Sequence, residues 1–176
     1  MTEAVHLCFM FTRLCGKTVP MDIDIRVDDL RGREVADLLH AHLTTMRAQS
    51  PPDSTHALDL HELRAPDITF WTAWLDSELA GTGALKELSS VHGEIKSMHT
   101  RTTVRRRGVG QRILSHIISE AVSRGYERLS LETGSMAAFE PARALYRRNG
   151  FAFCQPFADY VADPNSVFMT RMTKAI

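Results

Sequence analysis

Met21-Asp-Ile-Asp-Ile-Arg-Val27 alternates apolar and polar positions, the pattern of a half-buried strand. Asp28 and Asp29 can cap a helix running from about Leu30 to Ala48, with Val35, Leu38, Leu39 and Leu43 on one face. Ser50-Pro51-Pro52-Asp53 breaks the chain, and a short helix is expected near Ala57 to Arg64, ending before Pro66. From Ile68 the period becomes two. Ile68 to Leu75 and Leu79 to Leu88 flank the turn Asp76-Ser77-Glu78 as a hairpin, and a further strand runs from about Glu94 to Thr100. Gly108 to Arg124 returns to the helical period, with Val109, Ile113, Ile117, Ala121 and Val122 on one face and Gly125 as its stop. Arg128 to Thr133 reads as a strand. A helix over about Phe139 to Asn149 tolerates Pro141 in its first turn and ends at Gly150. Phe151 to Phe153 and Val167 to Met172 are the final strands. The order β-α-α-β-β-β-α-β-α-β-β has no repeat and no internal linker, so it implies one mixed sheet covered by helices.

Length and composition set limits on this picture. A chain of 176 residues, 44% hydrophobic and 24% charged, suits one domain, expected over residues 21–176. Residues 1–20 are read as an extension outside the core, with Met21 as an alternative start. Their apolar patch, Val5 to Phe11, is preceded by Glu3 where a secretory signal would carry positive charge. Lys+Arg and Asp+Glu both number 21, so the basic excess of a nucleic-acid binder is missing and no nucleic-acid partner is expected. No apolar run approaches the roughly 18 residues that span a bilayer, so no membrane partner is expected. Cys8, Cys15 and Cys154 lack both disulfide-framework and metal-ligand spacing, which points to a cytoplasmic setting.

The chemistry concentrates between the strand ending near Thr100 and the helix starting at Gly108. Gly108 and Gly110 remove side chains where the backbone must approach a partner closely. The helix behind them offers unpaired N–H groups and a dipole end of about +0.5 charge. Arg105, Arg106 and Arg107 add cationic side chains at its mouth, completing a cradle suited to a pyrophosphate. No Gly-Lys-Ser/Thr follows, which excludes a Walker loop, and Gly-x-Gly-x-x-Gly spacing is absent.

Arg105-x-x-Gly108-x-Gly110 resembles the Arg/Gln-x-x-Gly-x-Gly/Ala motif of the GNAT superfamily of acetyl-CoA-dependent N-acetyltransferases. Glu94-Ile-Lys-Ser-Met-His-Thr100 resembles that family's fourth strand. Ala142-x-x-Leu145-Tyr146-x-x-x-Gly150-Phe151 resembles its late helix and the strand after it. Ser-Leu-Glu-Thr-Gly at 130–134 and the run at 159–169 resemble an uncharacterised bacterial subgroup. The resemblance covers Met21 to the C-terminus. It implies an α/β (α+β) fold, with a mixed, mostly antiparallel twisted sheet of about six to seven strands flanked by about four helices. It also implies acetyl-CoA as co-substrate, held by Met98, His99 and Thr100 and by the turn from Arg105 through Arg106, Arg107, Gly108, Val109 and Gly110 to Gln111. Many relatives place an Asn seven residues before the late-helix tyrosine, in contact with the cofactor. Phe139 stands there in this chain, so that contact does not carry over.

Acetyl transfer to an amine poses two proton problems. An amine of pKa near 10.4 costs roughly 4–5 kcal/mol to deprotonate at pH 7, which a carboxylate acting directly or through water can assist. A thiolate leaving group benefits from a proton donor. Tyr146 is the acid candidate, because the family counterpart sits beside the cofactor sulfur. Glu94 matches a position where some relatives carry their base; Glu132 on the neighbouring strand is its rival, or binds the acceptor's ammonium group. An N–H near Met98 can polarise the thioester carbonyl.

His56 beside the variable helical segment, and Tyr160, Asp163 and Ser166 before the last strand, are candidates for the acceptor pocket. Eight histidines form no metal-ligand cluster, so no metal is expected, and His40 and His42 point to different helix faces. Phe70, Trp71 and Trp74 read as strand packing, and Cys154 as a buried structural thiol. The expected reaction is acetylation of a small-molecule amine, of amino-acid-like character. A protein or peptide acceptor, and a non-catalytic acyl-CoA-binding module, stay open as alternatives. A homodimer is common in the family and is not derivable from these residues.

Overall fold

The computed structural model describes residues 22–49 and 58–173. The expected extension over residues 1–20 and the candidate His56 lie outside the described residues. Seven strands form one sheet: β1 (Ile23–Val27), β2 (Ile68–Leu75), β3 (Glu78–Ser89), β4 (His92–Thr100), β5 (Arg128–Gly134), β6 (Ala152–Cys154) and β7 (Ser166–Met172). Their order across the sheet is β1-β2-β3-β4-β5-β7-β6. Only β4 and β5 run parallel; the other neighbours are antiparallel. The described helices are α1 (Arg33–Gln49), α2 (Val109–Ser123) and α3 (Glu140–Arg148).

The alternation in the strands divides the core in two. Phe70 and Trp71 are neighbours in β2, as are Ala84 and Leu85 in β3, and each pair faces opposite sides of the sheet. Trp71 and Leu85 join Ile113, Ile117, Leu129, Met169, Tyr146 and Phe151 in one apolar cluster. Phe70 and Ala84 join Leu30, Val35, Leu38 and Leu39 in a second cluster with α1. Burial of these side chains supplies the main driving force for assembly, about 1.5–3 kcal/mol for a fully buried large aliphatic group. Phe70 and Trp71 are therefore packing residues, as their strand context predicts. Asp76 and Ser77, both at positive φ, turn β2 into β3 as a two-residue hairpin.

Two expectations need correction. Asp28 and Asp29 do not cap a helix at Leu30. Their carboxylates accept the Leu30 and Arg31 N–H groups at 2.8 and 3.0 Å, forming local turns. Leu30 takes a left-handed conformation with its side chain buried, so α1 starts three residues later, at Arg33. The short helix expected to end before Pro66 is, among the described residues, a single 3-10 turn at Glu62–Arg64. Asp59 Oδ1 accepts the His61 and Glu62 N–H groups, both at 2.8 Å, while extended Ala65 leads into Pro66 and stops further winding.

The sheet opens at its one parallel junction. β4 pairs with β5 only from His92 to Glu94, opposite Arg128 to Ser130. Beyond Glu94 the strands separate, and β4 is bent by Ser97, which has φ 52° and coincides with a shift of register against β3. Thr82 Oγ1 donates to the Ser97 carbonyl at 3.0 Å and fixes the bend. On the far side, a buried polar chain ties β4 to β5 and β7. Arg128 donates to His92 Nδ1 at 3.0 Å, which leaves His92 Nε2 to donate to Ser130 Oγ at 2.8 Å. Ser130 then contacts Thr170 Oγ1 at 3.0 Å, which donates to the Leu129 carbonyl at 3.1 Å.

Candidate active site

The turn between β4 and α2 is built by its backbone. A 3-10 turn at Thr102–Val104 brings the chain to Arg105, whose Nε donates to the Thr100 carbonyl at 3.4 Å. Arg106 (φ 62°) and Gly108 (φ 85°) both take left-handed conformations, and Gly108 precedes the first turn of α2. The N–H groups of Val109, Gly110 and Gln111 open the helix and have no partner within it, a ready anion site. A Cβ on Gly110 would stand 3.4 Å from Thr100 Oγ1 and 3.5 Å from Leu145. Gly110 therefore lies close to both the end of β4 and α3. Arg105, Arg106 and Arg107 are exposed in the turn. The Gln111 side chain is engaged elsewhere: its amide pairs both ways with that of Asn149, at 2.8 and 2.9 Å, tying α2 to the end of α3.

A cavity of about 110 Å³ lies in the β4–β5 opening. Met98 of β4, Glu132 and Thr133 of β5, Tyr146 of α3, Phe139 ahead of α3 and His42 of α1 contribute to its wall. Tyr146 is buried, and its hydroxyl has no hydrogen-bond partner among the described residues. Burial, and then the Glu132 carboxylate, hold that hydroxyl well above the usual tyrosine range, so it is protonated at neutral pH. Glu132 Oε1 accepts a hydrogen bond from Ser166 Oγ at 2.7 Å. The Phe139 ring lies so close to Gly134 that a Cβ there would come within 2.4 Å of it. Phe139 thus acts as a packing residue where many relatives carry a polar amide.

Glu94 and Lys96 also line a second, larger cavity of about 430 Å³, which reaches Tyr160, Lys86, Leu58 and Val161. Glu94 Oε1 accepts from the Tyr160 hydroxyl at 2.6 Å and from Lys96 Nζ at 3.0 Å, and Lys96 also donates to the Tyr160 oxygen at 2.8 Å. The Glu94 and Lys96 side chains are only 4% and 10% exposed. Burial and the adjacent Glu94 push the Tyr160 hydroxyl well above its ordinary range.

His99, beside Met98, packs against His42 with ring centroids 4.5 Å apart and the rings tilted by 44°. Burial first, then Arg105, lowers His42 to about 4. Burial, then His42, then Arg105, lowers His99 to about 3. Both are neutral at pH 7.

The sequence-derived candidates therefore converge on two joined spaces. Tyr146, Glu94, Glu132 and Met98 meet at the smaller cavity and Tyr160 stands at the larger, while the glycine turn lines neither. Sequence reasoning missed Lys96, Lys86 and the inward turn of His42. Strand alternation carried a signal for Lys96, which lies two residues from Glu94 and shares its face.

The chain matches the acetyltransferase (GNAT) family over residues 35–151 and belongs to that family. It is 63% identical over 147 residues to the uncharacterised N-acetyltransferase YsnE of Bacillus subtilis (strain 168), covering 84% of this chain and 97% of that one. It is 50% identical over 146 residues to the uncharacterised N-acetyltransferase YedL of Escherichia coli (strain K12), covering 83% and 92%. A GNAT acetyltransferase from Elizabethkingia anophelis, solved with acetyl-CoA bound, shares the fold at a TM-score of 0.63 and 17% identity, covering 85% of this chain and 97% of that one. The protein is an acetyl-CoA-dependent N-acetyltransferase. Among the described residues no helix is long and apolar enough to cross a membrane.

Proposed function

We propose that this enzyme acetylates the primary amine of a small molecule by direct attack, with Tyr146 as the general acid and Glu132 as the base. The observation that carries this reading is the shared 110 Å³ cavity, where the open Tyr146 hydroxyl faces the same space as Glu132 and Met98. Acetyl-CoA supplies the acyl thioester. The N–H groups of Val109, Gly110 and Gln111, with Arg105, Arg106 and Arg107 at the mouth, would hold its pyrophosphate. The backbone of Met98, His99 and Thr100, unpaired toward β5, would align its arm, and an N–H near Met98 would polarise the thioester oxygen.

Glu132 is favoured over Glu94 because Glu94 Oε1 already accepts from Lys96 and Tyr160, and that pair stabilises its charge. Glu132 takes the ammonium proton directly or through water, while Tyr146 protonates the departing sulfur. Residues 21–176 act as one catalytic unit.

Kinetics of single variants test the scheme. Tyr146→Phe should lower kcat about 10–100-fold while calorimetry shows acetyl-CoA binding retained. Glu132→Gln should lower kcat/KM about 100-fold at pH 7 and recover toward pH 10, where the amine deprotonates unaided. Full turnover by the phenylalanine variant would sink the acid assignment.

A further inference from the structure

Gly81, Thr82 and Gly83 form the stretch of β3 that lies against the bend of β4. The register pairs Thr82 with His99 and then Ala84 with Lys96, so Gly83 stands opposite both Ser97 and Met98. One extra residue in β4 makes this a β-bulge. Its consequence is a change of face. Lys96 lies across from Ala84, which packs in the α1 cluster, and His99 meets His42 of α1. Residues three apart in a regular strand face opposite sides, so the bulge is what brings these two to the same side. Met98 turns to the other face, against the α2 cluster.

The β3 residues fit this shape closely. A Cβ on Gly81 would stand 2.6 Å from the His99 carbonyl oxygen, and one on Gly83 would stand 3.0 Å from Met98 Sδ. Both glycines thus give β4 room on the α2 face. Thr82, between them, points to the opposite face and is fully buried. Its Oγ1 donates at 3.0 Å to the carbonyl of Ser97, the residue with φ 52°. A residue with a side chain stays in that left-handed region when its surroundings hold it there.

The Ser97 carbonyl and the Met98 N–H belong to one peptide group. That group is planar and trans, so its C=O and N–H point in opposite directions. With the carbonyl held toward Thr82 of β3, the Met98 N–H points toward β5, the other neighbour of β4. The β4–β5 ladder has already ended at Glu94, and Met98 lines the cavity that opens there. A hydrogen bond to the carbonyl also polarises the peptide and strengthens its N–H as a donor.

We propose that Thr82 is a positioning residue for acetyl transfer: through this shared peptide, its hydroxyl aims the Met98 N–H at the thioester carbonyl. This rests on the reading of that N–H as the polarising donor, and adds the side chain that orients it.

The thioester carbonyl itself reports the outcome. Acetyl-CoA isotope-labelled at its carbonyl carbon is bound to the full chain, binding is followed by calorimetry, and the C=O stretch is read by difference infrared spectroscopy. The bound stretch should lie below that of the free thioester. Thr82→Val removes the hydroxyl and keeps the branched shape; it should still bind acetyl-CoA while losing at least half of that shift. Thr82→Ser should restore it, and Thr82→Ala replaces the valine variant if that one does not fold. An unchanged shift in the valine variant, or a shift lost equally in the serine variant, overturns the inference and leaves the donor near Met98 in place. Loss of binding by a folded valine variant also overturns it, since the hydroxyl would then serve the whole arm rather than one N–H. No shift in the full chain with acetyl-CoA bound removes the donor itself, and the inference with it.

Discussion

His42 and His99 are neutral imidazoles confined against each other and against Arg105, and this has a cost in acid. In the unfolded chain they take up protons near pH 6.5, whereas folded His42 does so only near pH 4. Between those values the unfolded state binds more protons, so stability is highest above pH 6.5 and falls as the pH drops toward 4. One such imidazole removes about 1.4 kcal/mol at pH 5.5 relative to pH 8. Urea unfolding at pH 7.5 and 5.5 measures this, and His42→Gln should flatten the dependence. The Glu94–Lys96 pair makes a second prediction at this scale. Glu94→Gln leaves a buried ammonium without its counter-charge and should lower stability by about 3 kcal/mol in the same assay. Glu132→Gln, whose carboxylate is half-buried, should fall by clearly less. Tyr146 and Glu94 were singled out in the sequence by their places in the late-helix and fourth-strand patterns, and the fold brings both to one cavity. The Lys96–Tyr160 contact was not readable there, because the two residues stand 64 apart in the chain.

At the scale of elements, α2 carries the clearest link from sequence to site. Of the apolar stripe read from the sequence, Val109, Ile113, Ile117 and Ala121 are buried as the helical period predicts, whereas Val122 turns outward and is exposed. The glycine before α2 holds a φ of 85°, which a side chain strains by about 1–2 kcal/mol. Gly108→Ala should therefore lose stability by about that amount and also weaken acetyl-CoA binding, read by chemical unfolding and calorimetry together. Stability loss with unaltered affinity would separate the turn from cofactor binding. The start of α1 was misjudged for a physical reason. An aspartate side chain serves equally well as a helix cap or in a local turn, and what decided between them was burial of Leu30 against the sheet. The hairpin at Asp76 and Ser77 needed no such tertiary information, since its two turn residues and flanking alternation define it locally.

At the scale of the molecule, the order of strands and helices was readable from periodicity, while the bend of β4 at Ser97 was not. No glycine marks that bend. Thr82 of the neighbouring strand holds it, a contact between residues distant in sequence. The described sheet begins with β1 at Ile23, after the segment read as an extension. A chain starting at Met21 should therefore keep at least half the full chain's turnover of acetyl-CoA, measured under the same conditions. A loss beyond tenfold would assign residues 1–20 a part in the active unit.

The bend of β4 also bears on how such a protein can change over generations. The strand beyond Ser97 leads into the glycine turn, whereas Glu94 and Lys96 precede it and meet side chains from the 155–165 segment. Substitutions in that segment, or in α1, therefore reach the cavities beside Glu94, where the acceptor is proposed to bind, without entering the turn after Thr100. A lineage can exchange one amine for another there while inheriting its acyl donor unaltered.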